Sequence, residues 1–259
     1  SPESFYKKSI SISKARIRDA VRRMEDDGAD FIDVGGMSTA PYIATMVSEK
    51  TETNRIIKAV KIIQQISNLP ISVDTSRATV AKEVLELGVD IINDVSGLKY
   101  DPIMPKTIEK YCPSLVLCAY SKKTITGNQI LKTKYLLKES LKIAKSANIP
   151  KSKIVLDPAI GFFRKEGMGS LFTKINSDYV QRDLLILKNL SSIKLDNPIL
   201  VSVSNKSFIG KILKKKNPID RIYGSIAAEL VAIRNGADII RTHNVEKTKN
   251  AMTIAQKLV

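Results

Sequence analysis

Tryptophan is absent from these 259 residues, histidine occurs once and cysteine twice. With only His243 to offer, and with Cys112 and Cys118 outside any CxxC spacing, an ordinary Cys/His metal site is excluded, and so is a disulfide framework. The two cysteines lie beside the apolar run LVLCAY and read as free thiols of a reducing cytoplasm. No uncharged apolar run reaches the roughly 18 residues of a membrane span. The opening SPESFYKKSI lacks the continuous apolar stretch of a signal peptide. Ten prolines and twelve glycines exclude a collagen-like or low-complexity chain.

What is present is 43% hydrophobic and 26% charged residues, the balance of a globular protein with ample core. Lysine and arginine total 42 against 26 acids, a formal charge of +16. Such an excess fits a nucleic acid, an anionic membrane surface or an anionic substrate. The basic residues are dispersed, however, in stretches such as KARIRDAVRR and KKKNPIDR that acids and apolar positions interrupt. With aromatics scarce, there is no base-stacking platform for single strands. Solvated helix faces and an anionic small-molecule substrate are therefore expected, with no nucleic-acid or membrane partner.

One pattern recurs: an amphipathic helix ends in glycine, and an apolar strand with an early aspartate follows. It appears as AVRRMEDDG-ADFIDV, VAKEVLELG-VDIINDV and AELVAIRNG-ADIIRTH. Gly28, Gly88 and Gly236 stand where a helix C-terminus needs a left-handed residue. PISVDT (70–75), SLVLCAY (114–120), KIVLDPAIG (153–161) and NPILVSVS (197–204) complete seven strands. Helices are expected near 14–27, 51–67, 77–87, 102–111, 135–147, 178–193, 222–235 and 246–258. Short helix-to-strand connections imply βα units around a parallel sheet buried on both faces. No GxGxxG opens a helix after the first strand, which disfavours an open doubly wound sheet. The expected fold is a single (β/α)8 TIM barrel spanning 1–259, with its first strand upstream of Ser1.

In that fold the active site lies at the C-terminal strand ends, where Asp33, Asp74, Asn93, Asp157, Lys206, Arg241 and His243 stand. A lone aspartate there reads equally well as a helix cap. A convergent set with a lysine and an arginine from the last strands is harder to explain as caps. Carboxylates and an amide suit a flat, donor-rich heterocycle, and a buried carboxylate needs such a partner or a cation. Arg241 with His243 makes an anion clamp suited to phosphate or diphosphate.

The blocks DVGGMSTAP, SVDTSRATVAKEVLELGVDIINDVSG, VLDPAIGFFRKEG, ILVSVSNKSFIG and IIRTHNV, in that order, resemble the signature blocks of the dihydropteroate synthase family. SPESF resembles the family's first loop. The resemblance implies a cytoplasmic, homodimeric transferase of folate biosynthesis that joins 6-hydroxymethyl-7,8-dihydropterin diphosphate to an arylamine, releasing pyrophosphate with Mg2+. It further implies a catalytic set of Asp74, Asp157, Lys206 and Arg241, with Asp157 and Asn93 on the pterin, Asp74 beneath it and Lys206 on its opposite edge. Arg241 and His243 would hold the diphosphate beside Asp33, Ser38 and Thr39; Ser207 would face the arylamine and Phe5 close over it. The expected magnesium ligand is an asparagine upstream of Ser1.

Departures cluster away from the pterin set. Met37 and Ala40 replace the Glu and Arg of GGESTRPG, Ser202 and Asn205 depart from GxSRKS, and Ala159 and Phe163 from DPGIGFGK. Cys118-Ala119 stands for Met-His, Asn244 for Asp, and Tyr6-Lys7 for the first-loop acid. Without a guanidinium at position 40, two readings of the arylamine stay open. One is ordinary 4-aminobenzoate; the other is an amine lacking the carboxylate, such as the sugar-phosphate arylamine of a divergent archaeal-type member. The alternatives in function are a methyl-tetrahydropterin-binding corrinoid methyltransferase and a non-catalytic pterin-binding relative.

Overall fold

The computed structural model describes residues 13–42 and 45–258. Strands β1 (Ile32–Gly35), β2 (Ile71–Asp74), β3 (Ile91–Asp94), β4 (Ser114–Cys118) and β5 (Ile154–Asp157) form a parallel sheet in chain order. Two further parallel pairs follow, β6 (Phe163–Arg164) with β7 (Thr173–Lys174) and β8 (Leu200–Val201) with β9 (Ile239–Ile240). The bridge Leu156–Ile199 continues the main sheet from β5 to β8, with Leu156 N–H donating to Pro198 O at 2.9 Å. The architecture is that of a (β/α)8 barrel, the ring standing open between β9 and β1 among the described residues.

Helix α1 (Lys14–Asp26) precedes β1; α2 (Glu49–Gln64), α3 (Ala78–Leu85), α4 (Met104–Tyr111) and α5 (Gln129–Ser146) each follow a strand. Beyond the β6–β7 pair come α6 (Tyr179–Lys188) and α7 (Leu190–Ile193); α8 (Ser207–Ile212) and α9 (Ile222–Arg234) follow β8, and α10 (Val245–Lys257) follows β9. Starts are capped by side chains: Ser13, Ser48, Asn128 and Asp178 each accept a backbone N–H of the first turn. At the other ends Gly28, Gly88 and Gly236 hold φ of +87°, +82° and +107°, as the recurring pattern requires.

The helix over 178–193, the helix from 135, α8 and the β6–β7 pair differ from the expected elements. The helix expected over 178–193 is broken at Asn189, whose side chain turns back to donate to Leu185 O at 2.8 Å. The helix expected from 135 starts at Gln129, because the Asn128 carboxamide caps two N–H groups ahead of it. Helix α8 and the β6–β7 pair are too short to show a period, so periodicity missed them.

The early aspartate of the recurring pattern has a structural task. Asp90, just before β3, accepts the Ile71 N–H at the start of β2 (2.9 Å), and Asp238, just before β9, accepts the Ile199 N–H ahead of β8 (2.8 Å). Each thus ties its own strand to the preceding neighbour in the sheet. Asp30 holds the equivalent place before β1, at the open side of the ring, and there pairs with Lys249 at 3.3 Å.

The strands carry no clean alternation because both faces are covered: Val73, Ile92, Leu115, Leu117, Leu156 and Val201 are buried, and Ile56, Val60, Val80 and Leu137 pack on them from the helices. One buried ion pair secures the loop after β1. Glu52 on α2 accepts from Arg77 Nη1 (2.7 Å) and Thr75 Oγ1 (2.8 Å). Gly36 passes so close that a Cβ there would stand 2.8 Å from Glu52 Cγ. Only glycine fits, and the following Met37, Ser38 and Thr39 are thereby set at the mouth of the ring.

Candidate active site

A cavity of about 620 Å³ opens at the C-terminal ends of the strands. Asp74 ends β2, Asn93 lies near the end of β3, Asp157 ends β5, and Lys206 and Arg241 follow β8 and β9; all of them line it. Ser38, Thr39, Asp33 and His243 line it as well. The cavity extends between α1 and α10, past Met24 and Met252, along the open side of the ring.

Its floor is acidic and incompletely bonded. Burial, with Asp33 nearby, pushes the Asp74 carboxyl up to about 7 against the pull of Arg241. Asp74 Oδ1 and Asn93 Oδ1 are buried acceptors without a hydrogen-bond partner among the described residues. An orphaned buried acceptor costs free energy until a donor reaches it, so this floor suits a ligand with several N–H groups. Asp157 is partly served. Its Oδ1 accepts the Ala159 N–H at 2.6 Å; burial raises its pKa, and that N–H, Lys206, Arg241 and the Cys118 thiol draw it back. The turn that supplies this N–H holds Ala159 at φ +58° and Gly161 at +86°.

The cations stand opposite. Lys206 Nζ lies 4.5 Å from the centre of the Phe162 ring, and burial beside Arg241 lowers its ammonium to about 8. A Cβ on Gly161 would come 2.9 Å from Lys206 Cδ, so that glycine makes room for the lysine. Arg241 is clamped by Asp33: Nε and Nη2 both lie 2.7 Å from Oδ2, while Ser72 Oγ donates to Oδ1 at 2.6 Å. That carboxylate raises the Arg241 pKa further, and Nη2 lies 3.9 Å from Asp74 Oδ2.

The remaining expected residues divide. Burial, with Arg241 and Lys206 beside it, lowers the His243 imidazole to about 3, so it would meet an anion through a hydrogen bond and not through a charge. Asp33 engages Arg241 and Ser72, so its visible work is to orient the guanidinium. Ser207 stands next to Lys206 and accepts a 2.6 Å bond from Arg164 Nη2. Phe5 lies outside the described residues. No group of three or more His, Cys, Asp or Glu side chains that could hold a metal ion occurs among the described residues.

Sequence reading missed Arg164, Arg182 and Asp183, which are buried behind the Asp157 turn. Asp183 accepts from the Gly161 N–H (3.1 Å) and from Arg182 Nη1 (3.1 Å). An Arg-Asp pair inside an otherwise apolar helix, QRDLLILK, was the signal available. Asp94, which follows Asn93 at the end of β3, serves the loop: it accepts from Ser76, Ser96 and the Leu98 N–H.

Residues 1–243 match the family model described as pterin binding enzyme. The dihydropteroate synthase of Bacillus subtilis is 36% identical over 249 residues, 95% of this chain and 81% of the relative. A protein of Mycobacterium tuberculosis described as an inactive dihydropteroate synthase 2 is 29% identical over 99% of this chain and 80% of its own length. Among solved structures, the Clostridium difficile dihydropteroate synthase, determined in the presence of pteroic acid, superposes with a TM-score of 0.83 at 36% identity, covering 93% of this chain and 86% of that one. The Xanthomonas albilineans dihydropteroate synthase with 4-aminobenzoic acid gives 0.83 at 28% identity, covering 95% and 84%.

Proposed function

This chain belongs to the pterin-binding enzyme family, among its dihydropteroate synthases, and from that membership we propose that it condenses 6-hydroxymethyl-7,8-dihydropterin diphosphate with 4-aminobenzoate or a related arylamine in folate synthesis. One observation carries this reading. Asp74, Asn93 and Asp157 from three strands and Lys206 from the loop after β8 line one cavity, in which Asp74 Oδ1 and Asn93 Oδ1 are buried acceptors without a donor among the described residues.

The chemistry follows from the charges. The amino-pyrimidine edge of the pterin donates to Asp157, Asn93 and Asp74, and Lys206 donates to the far edge of the ring. The bond from the pterin methylene to the diphosphate oxygen breaks, and its electron pair leaves on pyrophosphate. Positive charge then spreads over the dihydropterin above the carboxylates, while Arg241, held rigid by Asp33, faces the departing anion. The arylamine nitrogen gives its lone pair to the methylene and loses a proton to pyrophosphate or water. A neutral arylamine needs no strong base, so alignment supplies much of the remaining rate. His243, neutral, offers a hydrogen bond to the anion rather than a charge.

The finer readings belong to the same proposal. Mg2+ is expected with the diphosphate; no protein ligand set fits it among the described residues, and no step is assigned to it. A homodimer through the later helices is supported by Tyr223 and Val231 on α9 and Ile254 on α10, all exposed. A cytoplasmic setting is supported by the free thiols of Cys112 and Cys118, and no described helix is long and apolar enough to cross a membrane. A single domain over 1–259 is supported by one continuous core cluster.

The test is pyrophosphate release from the pterin diphosphate with Mg2+ and a panel of arylamines, alongside calorimetric binding of the pterin. The wild-type chain is expected to turn over, and Asp157→Asn to lose pterin affinity by about 100-fold, the scale of a charged hydrogen bond in a buried site. Pterin binding without turnover would point to the inactive relatives instead. Undiminished pterin affinity in Asp157→Asn would refute the placement of the ring.

A further inference from the structure

Helix α9 packs against β9, α10 and α6, and one side of it is polar and buried. Ser225 and Glu229 stand there one turn apart, each only 1% exposed. Ser225 Oγ accepts the Asn205 N–H at 2.9 Å, next to Lys206 in the chain. Glu229 serves the segment that carries the other cation. Its Oε2 accepts from Thr248 Oγ1 on α10 at 2.8 Å, and Thr248 Oγ1 lies 3.0 Å from Thr242 Oγ1, between Arg241 and His243 in the chain. Glu229 Oε1 is buried without a hydrogen-bond partner among the described residues. A buried carboxyl with no cation against it is costly, and what this one touches is the connection that presents the anion clamp.

That connection, residues 241–244 between β9 and α10, is held by few bonds. Arg241 N–H donates to Val201 O at 3.0 Å, His243 N–H to Ser204 Oγ at 3.2 Å and Asn244 N–H to Thr242 Oγ1 at 3.1 Å. Asn244 gives α10 no side-chain cap. Thr242 and Thr248 both line the cavity, so the chain of hydroxyls runs from its wall to Glu229. Burial raises the Glu229 carboxyl to about 7, and the hydroxyls of Thr248 and Thr242 draw it back. Neighbouring charges are engaged elsewhere: Lys249 on α10 with Asp30, Arg241 after β9 with Asp33, Arg182 on α6 with Asp183, and Arg221 ahead of α9 with backbone carbonyls. Lys188 on α6, Arg234 on α9, and Glu246 and Lys247 on α10 are exposed. An ionised Glu229 therefore holds the hydroxyls by charge-assisted bonds, and its protonation exchanges them for neutral ones of about half the strength.

We propose that Glu229 is a positioning residue of the diphosphate clamp: ionised, it holds Thr242 by way of Thr248 and so fixes Arg241 and His243 against the leaving anion, and protonated, it lets them slacken. This deepens the synthase reading and rests on it. Glu229 touches neither the substrate nor the reacting atoms and acts only through the two threonines.

The experiment is calorimetric titration of pyrophosphate with Mg2+ into the full chain at pH 6 and pH 8.5, with thermal melting at the same two values, for wild type, Glu229→Gln, Thr248→Val and Thr248→Ser. Glu229→Gln keeps the size of the side chain and removes its charge. It is expected to bind pyrophosphate about 10-fold more weakly than wild type at pH 8.5, the scale of one charge-assisted contact, and within about 2-fold at pH 6. Asp74, which titrates in the same range, is common to all four proteins and drops out of the comparison. Thr248→Val should match Glu229→Gln at pH 8.5, and Thr248→Ser should stay nearer wild type. Melting moves the other way. With the Glu229 carboxyl raised from an ordinary 4.5 to about 7, the folded state binds more protons between those values, so wild type loses stability as pH rises and Glu229→Gln gains relative to it. Weaker binding by the relatively stabilised protein is a result that lost packing does not give. A loss of affinity equal at both pH values would make Glu229 a packing residue and overturn the proposal, as would equal affinity throughout. Should Glu229→Gln fail to fold, Thr248→Val against Thr248→Ser reads the same pH contrast. A wild type that shows this pattern but turns over no arylamine upholds the clamp and sinks the synthase reading alone, whereas one that does not bind pyrophosphate overturns the proposal.

Discussion

Asp74 shows how burial sets chemistry at a single residue. In an unfolded chain its carboxyl ionises near pH 4, whereas in the fold it holds its proton to about 7. The folded state therefore binds more protons between those values, and its stability falls as pH rises through that window. Asp74→Asn removes the titration, so its melting temperature should exceed that of wild type by more at pH 8 than at pH 5. A difference that does not change with pH would show that Asp74 is ionised in the empty fold. The same burial that strains the apoprotein prepares the site, because a donor from the pterin relieves it. Asp74 was legible in the sequence as a polar residue closing an apolar strand. Its protonation was not, since that depends on Asp33, Glu52 and Asp94 arriving from other segments.

The recurring helix–glycine–strand unit carries the prediction that belongs to elements. Asp90 holds the first N–H of β2 and Asp238 the Ile199 N–H just ahead of β8, so Asp90→Ala and Asp238→Ala should each cost about 1–3 kcal/mol in denaturant unfolding. Asp30→Ala, which breaks an exposed pair with Lys249, should cost less than 1 kcal/mol. Equal costs at all three would mean that the aspartates act by local propensity and not across the sheet. Glycine and capping residues made most element boundaries readable. The exceptions follow from length: α8 and the β6–β7 pair complete too few repeats to declare a period, and the break at Asn189 sits inside a continuous amphipathic pattern. Those unreadable elements are the ones that carry Arg164 and Ser207.

Along the chain the basic residues behind the formal charge of +16 are dispersed among acids and apolar positions. Dispersed positive charge attracts a multiply charged anion from a distance and is screened beyond a Debye length of about 8 Å at physiological salt. The second-order rate constant kcat/KM for the pterin diphosphate should therefore fall several-fold between about 20 and 300 mM salt, with kcat nearly constant. Initial rates across a salt series check this. A kcat that falls in parallel would place the salt effect inside the site, on the Arg241–Asp33 pair, instead of on encounter.

The order of strands and helices, the parallel sheet and the polar residues at the strand ends were all determined by the sequence, because glycine stops, caps and apolar runs act within a few residues of themselves. Only the tertiary structure decided which of those polar groups keep a charge and what they serve. His243 is neutral and Asp33 is tied to Arg241, while Asp94 braces a loop and Arg164 stands behind Ser207. Those outcomes depend on burial and on partners as distant in the chain as Asp33 and Arg241, and no local pattern encodes a dielectric environment built from remote segments.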